Sequence, residues 1–300
     1  MLQKIMSRLR SGNHYAANAG ELEQFNANGF FVREKVFSNR ELDKLRNAAE
    51  KVHRRMEKKA ASNNPPDLEF VDDKRFQSID DSVVKWEWRE GSGDIRSMEP
   101  FLHLHHDLHA IVDDPRLWAP AQSILGLDKL ALFTDKLNFK RPQGAPFPFH
   151  QDSPYFALEC KHVDQLLSMQ IYLDEARNDN GCLWIIPGSH HQGILSGVQG
   201  KGVLDRLYTD MDLFQGEDPV AVTAPAGSVI YFHAHVIHGS KGNKSEQSRR
   251  AMVITYQPAG YLFADKWVYG IGLSASAHLR TIYSFNSHRA SGTERQFFSC

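Results

Sequence analysis

From Asp128 onward the chain is written in short apolar runs separated by tight-turn chemistry, and this alternation limits the fold more than any other feature. The runs are Leu130 to Lys140, Leu166 to Leu173, Cys182 to Ile186, Val220 to Ala224, Ser228 to His233 and Arg250 to Gln257. Between them stand Asn178-Asp179-Asn180-Gly181, Pro187-Gly188-Ser189 and Pro225-Ala226-Gly227, whose residues turn a backbone sharply. Many short strands with few helices between them predict a mainly β fold with flanking helices, a double-stranded β-helix of the jelly-roll, cupin-like type. With 300 residues and no internal repeat or linker, 1–300 reads as a single domain. It divides into a helical N-terminal third over about 1–127, a jelly-roll core over about 128–260 and a C-terminal extension over 261–300.

The front of the chain changes period. Ser38 followed by Glu41 is a capping box, after which Leu42, Leu45, Ala49, Val52 and Met56 recur at helical spacing until Asn63-Asn64-Pro65-Pro66. Leu22 and Phe25 predict a shorter helix closed by Gly29, followed by a strand over Phe30, Phe31 and Val32. A third helix is expected from Asp114-Pro115 to Gly126. The polar stretch from Ser62 to Glu99 reads as a long loop or lid.

Charge and composition exclude several classes of function. The 35 basic and 36 acidic side chains leave a net charge of −1, which provides no general field for nucleic acid or an anionic membrane. The longest apolar runs are far too short to cross a bilayer. Three scattered cysteines, Cys160, Cys182 and Cys300, make neither a disulfide framework nor a thiolate metal site and suggest a reducing, cytoplasmic setting. Lys4, Arg8 and Arg10, with no acid before Glu21, carry the charge bias of an organelle transit peptide, although a basic first helix accounts for them as well.

Histidine is the informative residue type. The chain has 15, clustered as His103, His105, His106 and His109, then His150, then His190 and His191, then His233, His235 and His238. His150-Gln151-Asp152 is the sharpest group: if Phe147 to Tyr155 is extended, alternation puts His150 and Asp152 on one face and Phe149 and Gln151 on the other. A second histidine from another strand would complete a facial triad that leaves iron positions open. His238, at a strand end before Gly239-Ser240, and the pair His233 and His235, which share a strand face, compete for that place. Arg249 follows His238 after a hairpin-like Lys241 to Ser245 and could grip a carboxylate with two parallel hydrogen bonds; of Arg249 and Arg250 only one can point inward.

His150-Gln151-Asp152, the run Asn180-Gly181-Cys182-Leu183-Trp184-Ile185-Ile186-Pro187-Gly188-Ser189-His190, and His238-Gly239-Ser240 with Arg249 resemble, in order, the phytanoyl-CoA dioxygenase family of Fe(II)/2-oxoglutarate-dependent oxygenases. Phe25, Asn28 to Val32 and Val36-Phe37-Ser38 agree with its entry helix and first strand, so the likeness runs from about Leu22 to Gln257. The resemblance implies iron ligation by His150, Asp152 and His238, and a clamp on the distal carboxylate of 2-oxoglutarate by Arg249 with support from Ser240. It also places Gln170 against the cosubstrate, where relatives commonly have Trp, allows His103 to line the cosubstrate pocket, and puts His233 outside the iron's ligand set. Asp152 disfavours the halogenating branch, which has a small residue there.

The implied reaction consumes 2-oxoglutarate and O2, releases succinate and CO2, and oxidises an unactivated C–H bond by hydroxylation, desaturation or ring closure, with ascorbate as a stimulant. Tyr155, Trp184 and Phe147 are the candidate substrate contacts, and Lys136, Lys140 and Arg141 put positive charge near the expected mouth, where lysines usually only solvate. Neither Arg8-Leu9 nor the C-terminal Phe297-Phe298-Ser299-Cys300 matches a peroxisomal signal, which favours a small organic acid or secondary metabolite over an acyl-CoA. The expected partner is a small molecule rather than nucleic acid or membrane, and the expected state is a monomer or weak homodimer. A silent jelly-roll protein that binds metal and 2-oxoglutarate, and a zinc site on His233 and His235, are the competing readings.

Overall fold

The strands form two antiparallel sheets, and from residue 129 onward the chain passes repeatedly from one to the other. In the computed structural model, residues 14–157, 160–198, 207–212, 214 and 216–261 are described, with the backbone of 284–286. Lys4, Arg8, Arg10, Cys300 and most of the expected C-terminal extension lie outside the described residues.

Helix α1 (Ala19–Asn28) leads into β1 (Phe30–Arg33), and α2 (Asn39–Ala60) follows. Both helices begin at a complete capping box, Asn18 with Glu21 and Ser38 with Glu41. Four strands come next, β2 (Leu68–Val71), β3 (Lys74–Ile79), β4 (Ser82–Trp86) and β5 (Ile95–Glu99). A single helical turn, α3 (His106–His109), precedes α4 (Pro115–Leu125).

The jelly roll is built from β6 (Lys129–Asn138), β7 (Phe147–His150), β8 (Leu167–Tyr172), β9 (Leu183–Ile185), β10 (Val220–Val222), β11 (Val229–His233), β12 (His238–Ser240) and β13 (Ala251–Pro258). One sheet runs β1-β11-β8-β13-β6-β5-β4-β3-β2, with β14 (Ser284–Asn286) also on β6; the other runs β10-β9-β12-β7. All six strands expected after Asp128 are present, with ends shifted by a residue or two.

The stretch from Ser62 to Glu99 is not a loop: it extends the larger sheet as a meander. Its turns are Asp72-Asp73 and Asp80-Asp81, two-residue connections in which Asp72, Asp80 and Asp81 adopt positive φ. Asp tolerates that conformation, and two consecutive positive-φ residues, as at Asp80-Asp81, match the right-handed twist of a hairpin. Lys241 to Ser245 is likewise no hairpin, because β12 and β13 belong to different sheets and the segment crosses between them.

Alternation assigns the two faces of the larger sheet. Leu167, Met169 and Ile171 of β8 and Met252, Ile254 and Tyr256 of β13 face the helices, packing with Leu42, Leu45, Ala49, Val52 and Met56 of α2. Ser168, Gln170, Tyr172 and Thr255 face the smaller sheet. Hydrophobic burial on one side thereby frees the other side for polar chemistry. Leu42 is fully buried in that helix–sheet layer. Leu42→Ala is expected to cost about 2–5 kcal/mol of unfolding free energy. Denaturant titration measures this, and metal affinity at low temperature should stay unchanged because the inward face is untouched.

Candidate active site

His150 ends β7 and His238 begins β12, and the two residues are direct partners across the ladder. Register alone therefore brings together residues 88 positions apart in sequence (238 − 150 = 88), with ring centroids 4.3 Å apart. Asp152 completes the group, with Oδ1 at 3.8 Å from Nε2 of each histidine. Two metal–ligand bonds of about 2 Å reach across such a gap.

Asp152 gets there by a route other than strand alternation. The backbone leaves β7 after His150, and Asp152 has helical dihedrals (φ −73°, ψ −30°) at the start of a single turn, α5 (Ser153–Phe156). The amides of Tyr155 and Phe156 both donate to the Asp152 carbonyl, at 3.1 Å. Its second oxygen accepts from Ser168 Oγ at 3.3 Å, and that hydroxyl is in turn 2.9 Å from Thr255 Oγ1. Gln151 faces away as expected, bonding the carbonyls of Gly193 and His235 and the amide of Leu195.

The donor chemistry fits a cation. His150 Nδ1 lies 2.8 Å from the Pro148 carbonyl and His238 Nδ1 lies 3.0 Å from the Val236 carbonyl. A carbonyl can only accept, so each Nδ1 carries the proton and each Nε2 presents its lone pair toward Asp152. Burial and the neighbouring His238 hold the His150 imidazole well below its ordinary pKa, in the neutral form a metal requires.

Arg249 is buried, and its Nε and Nη2 donate to the Gly181 carbonyl at 3.1 and 2.7 Å. Arg250 points the other way, to Asp174 and Glu50, so only one of the adjacent pair enters the interior. Ser240 is buried two residues after His238, on the same face of β12. Gln170 projects inward with its Nε2 buried and without a partner, an orphaned donor aimed at the space between the sheets.

Of the three aromatic candidates, Tyr155 stands with its ring 6.1 Å from that of His150, and burial pushes its phenol well above its ordinary pKa. Phe147 lies under the Arg96 guanidinium, 3.7 Å from the ring centroid. Trp184 is opposite Gly239, one residue out of step with His238, so it occupies the other face of the smaller sheet and is not gathered into the site. His103 is also elsewhere: its Nε2 is 2.8 Å from the Asp80 carbonyl, at the tip of the β3–β4 turn.

His233 and His235 do not form the rival site. His235 Nε2 is engaged by Asp164 at 2.6 Å, and His233 Nδ1 accepts the His235 amide at 3.0 Å. Apart from the triad, the described residues bring one other potential ligand group together, His105, His106 and Asp107 at the start of α3. There His105 Nδ1 caps the Asp107 amide and His106 is exposed.

The sequence reading missed the buried ions. Lys85 and Glu99 pair at 3.0 Å, with burial bringing the lysine down to about 7, and Arg96 pairs with Glu87 at 3.1 Å. Lys140 is buried rather than a surface charge. The available signal was parity: Lys136, Asn138 and Lys140 alternate along and just beyond β6.

A family model for phytanoyl-CoA dioxygenase (PhyH) matches residues 25–251. The chain belongs to that family. It is accordingly an iron- and 2-oxoglutarate-dependent oxygenase acting on small molecules. Among its relatives, it is 28% identical to 2-aminoethylphosphonate dioxygenase of uncultured bacterium HF130_AEPn_1, over 62% of this chain and 74% of that one. It is 31% identical to L-proline trans-4-hydroxylase of Streptomyces griseoviridis, over 56% and 69%. It spans 56% of the length of two other curated relatives. In structure it is similar to EctD from S. alaskensis with bound 2-oxoglutarate and 5-hydroxyectoine: TM-score 0.61, 25% identity, 82% of this chain and 78% of that one. No helix among the described residues is long and apolar enough to cross a membrane.

Two outcomes test the geometry. A Cβ at Gly239 would lie 2.9 Å from the Phe147 carbonyl and 3.1 Å from the Phe149 amide, so Gly239→Ala must push β12 off β7. The expected result is at least a tenfold loss of Fe(II) affinity, roughly the 1.4 kcal/mol that tenfold represents, read by metal titration of folded protein. Separately, burial and the nearby His235 and His190 hold His233 down from 6.5 to about 4. The unfolded chain takes up that proton near pH 6.5 while the fold refuses it until about pH 4, so this stability is complete above 6.5 and fades as pH falls. Removing the group in His233→Gln should flatten the loss of stability between pH 6.5 and 4 by on the order of 2–3 kcal/mol, measured by denaturant titration at each pH.

Proposed function

We propose that the protein oxidises an unactivated C–H bond of a small organic acid, with Fe(II) held by His150, Asp152 and His238 and 2-oxoglutarate gripped by Arg249 and Ser240. The observation that carries the ligand set is the convergence of two tautomer-fixed Nε2 atoms and one carboxylate oxygen, all mutually within 4.8 Å. Three donors on one side of an ion leave its other positions for a chelating keto acid and oxygen. Bound iron and 2-oxoglutarate supply the oxidant, with succinate and CO2 as by-products.

The chain's own residues orient and exclude. Ser168 steadies Asp152, and the two backbone carbonyls lock the imidazoles. Arg249 reads the cosubstrate's far end: its guanidinium is buried, and its Nε and Nη2 meet a carbonyl rather than an acid, leaving its charge for an incoming carboxylate. Gln170 offers its unpartnered amide to the same ligand. Tyr155 and Phe147 form the substrate-side wall, with Phe147 under a guanidinium.

The small-acid reading is supported by the ionic lining. Lys85, Glu99 and Lys136 face inward beside this wall, Lys136 at 4.0 Å from Glu99, an environment that suits a charged molecule of few atoms better than a long alkyl chain. The compounds for which relatives are named, an aminophosphonate, an amino acid and 5-hydroxyectoine, are of that class. With only three scattered cysteines, the sequence suits a reducing, cytoplasmic setting.

Succinate formation should be measured over a panel of amino acids, phosphonates, acyl thioesters and terpenoid acids, with Fe(II), 2-oxoglutarate and ascorbate supplied. Substrate-dependent succinate with a small acid is the expected outcome; turnover with acyl thioesters alone would move the substrate to that class, and no turnover with any compound would favour a silent binding protein. Asp152→Ala should abolish the visible absorption that Fe(II) and 2-oxoglutarate develop anaerobically. Arg249→Met should retain it but require about tenfold or more 2-oxoglutarate, the effect of losing a charge-assisted pair.

A further inference from the structure

Lys140, just past the end of β6, is buried although it carries an ionisable amine. Its Nζ donates to Ser240 Oγ at 2.7 Å, to the Lys241 carbonyl at 2.6 Å and to the Ala145 carbonyl at 3.3 Å. All three are neutral acceptors. The side chain also packs against the turn that holds Arg249: a Cβ on Gly181 would lie 2.6 Å from Lys140 Cδ and 3.2 Å from its Nζ, and Gly181 supplies the carbonyl that Arg249 meets. Next door, the Arg249 amide donates to the Lys140 carbonyl at 3.0 Å. Two cationic side chains thus converge on one glycine with no carboxylate among the hydrogen-bond partners of either.

We propose that Lys140 is a positioning residue for 2-oxoglutarate: by donating to Ser240 Oγ it obliges that hydroxyl to direct its own proton at the distal carboxylate, which it then shares with Arg249. A hydroxyl has one proton and two lone pairs, and an ammonium can only donate, so the bond from Lys140 occupies a lone pair and leaves the Ser240 proton to be given elsewhere. Polarisation by a cation makes that proton a stronger donor. Arg249 alone would have to neutralise the carboxylate in a buried pocket; Lys140 adds a second positive charge behind the serine. Burial, Arg249 and Arg96 bring Lys140 down to about 6, so near neutral pH the ligand-free protein holds mainly the amine, and the arriving carboxylate restores the ammonium that donates to Ser240.

This inference rests on the assignment of Arg249 and Ser240 to the distal carboxylate, and the test separates the two. Binding is measured calorimetrically, without turnover, for 2-oxoglutarate and for 2-oxopentanoate, which keeps the keto acid but ends in a methyl group. The unaltered protein should prefer 2-oxoglutarate by at least a hundredfold, and Arg249→Met should reduce that preference. Lys140→Met should weaken 2-oxoglutarate about tenfold while leaving 2-oxopentanoate unchanged, an internal check on folding, since a merely loosened structure would weaken both. Ser240→Ala should have a similar effect, and Lys140→Met with Ser240→Ala together should be no worse than either alone, because the lysine acts through the serine. Additive losses, or full preference in folded Lys140→Met, would overturn the role of Lys140. Equal affinity of the unaltered protein for the two acids would overturn the cosubstrate assignment itself.

Discussion

The pairing of β7 with β12 is the constraint on which the rest of the site depends. A ladder of backbone hydrogen bonds puts the Cα atoms of His150 and His238 opposite one another, and no side-chain preference is needed to bring them together. What the side chains add is direction. Each imidazole gives its Nδ1 proton to a carbonyl two residues back, Pro148 for one and Val236 for the other, so both lone pairs point inward before any ion arrives. Such preorganisation matters because three buried donors that had to be gathered and deprotonated on binding would subtract from affinity.

The same sheet geometry separates two incompatible environments. Along β8 and β13, odd and even positions diverge: Leu167, Met169, Ile171, Met252 and Ile254 are sealed beneath α2, while Ser168, Gln170 and Thr255 face the smaller sheet. The apolar layer supplies the burial that stabilises the fold, and it allows the inner layer to hold ions that would otherwise be hard to accommodate. Lys85 with Glu99 and Arg96 with Glu87 are internally matched. Arg249 and Lys140, by contrast, donate to a serine hydroxyl and backbone carbonyls and to no acid.

Much of this architecture was legible in the residues because each level agreed with the next. A capping box, helical spacing, glycine stops and turn chemistry located α1, α2, α4 and six jelly-roll strands, and the ordered motifs located the triad. The failures came where one rule stood in for another. The Ser62 to Glu99 meander was hidden because its turns use Asp-Asp in place of Asn-Gly. Asp152 reaches the site through a helical turn, whereas alternation along an extended strand had been the reason to expect it there. A jelly roll places consecutive strands in different sheets, so Lys241 to Ser245 is a crossover although its composition resembles a hairpin. Lys140 was unreadable as a buried group because burial of a lysine depends on what lies across the sheets, and Ser240 is 100 residues away.

That separation also bears on what holds each part of the site in place. The triad is fixed by backbone pairing and a turn, elements that any substrate meets in the same form. Arg249, Lys140 and Ser240 are set by side-chain contacts, Arg249 on the Gly181 carbonyl and Lys140 on Ser240, so their arrangement depends on packing rather than on strand register. Tyr155 stands beside His150, whereas Phe147 is paired with Ser240 and lies within reach of Arg96, Lys136 and Lys140, so the two aromatics face different ends of the inner layer. Lys85, Glu99 and Lys136 form a mixed-charge group in the same inner layer, held by ion pairs among themselves rather than by the backbone pairing that sets the triad.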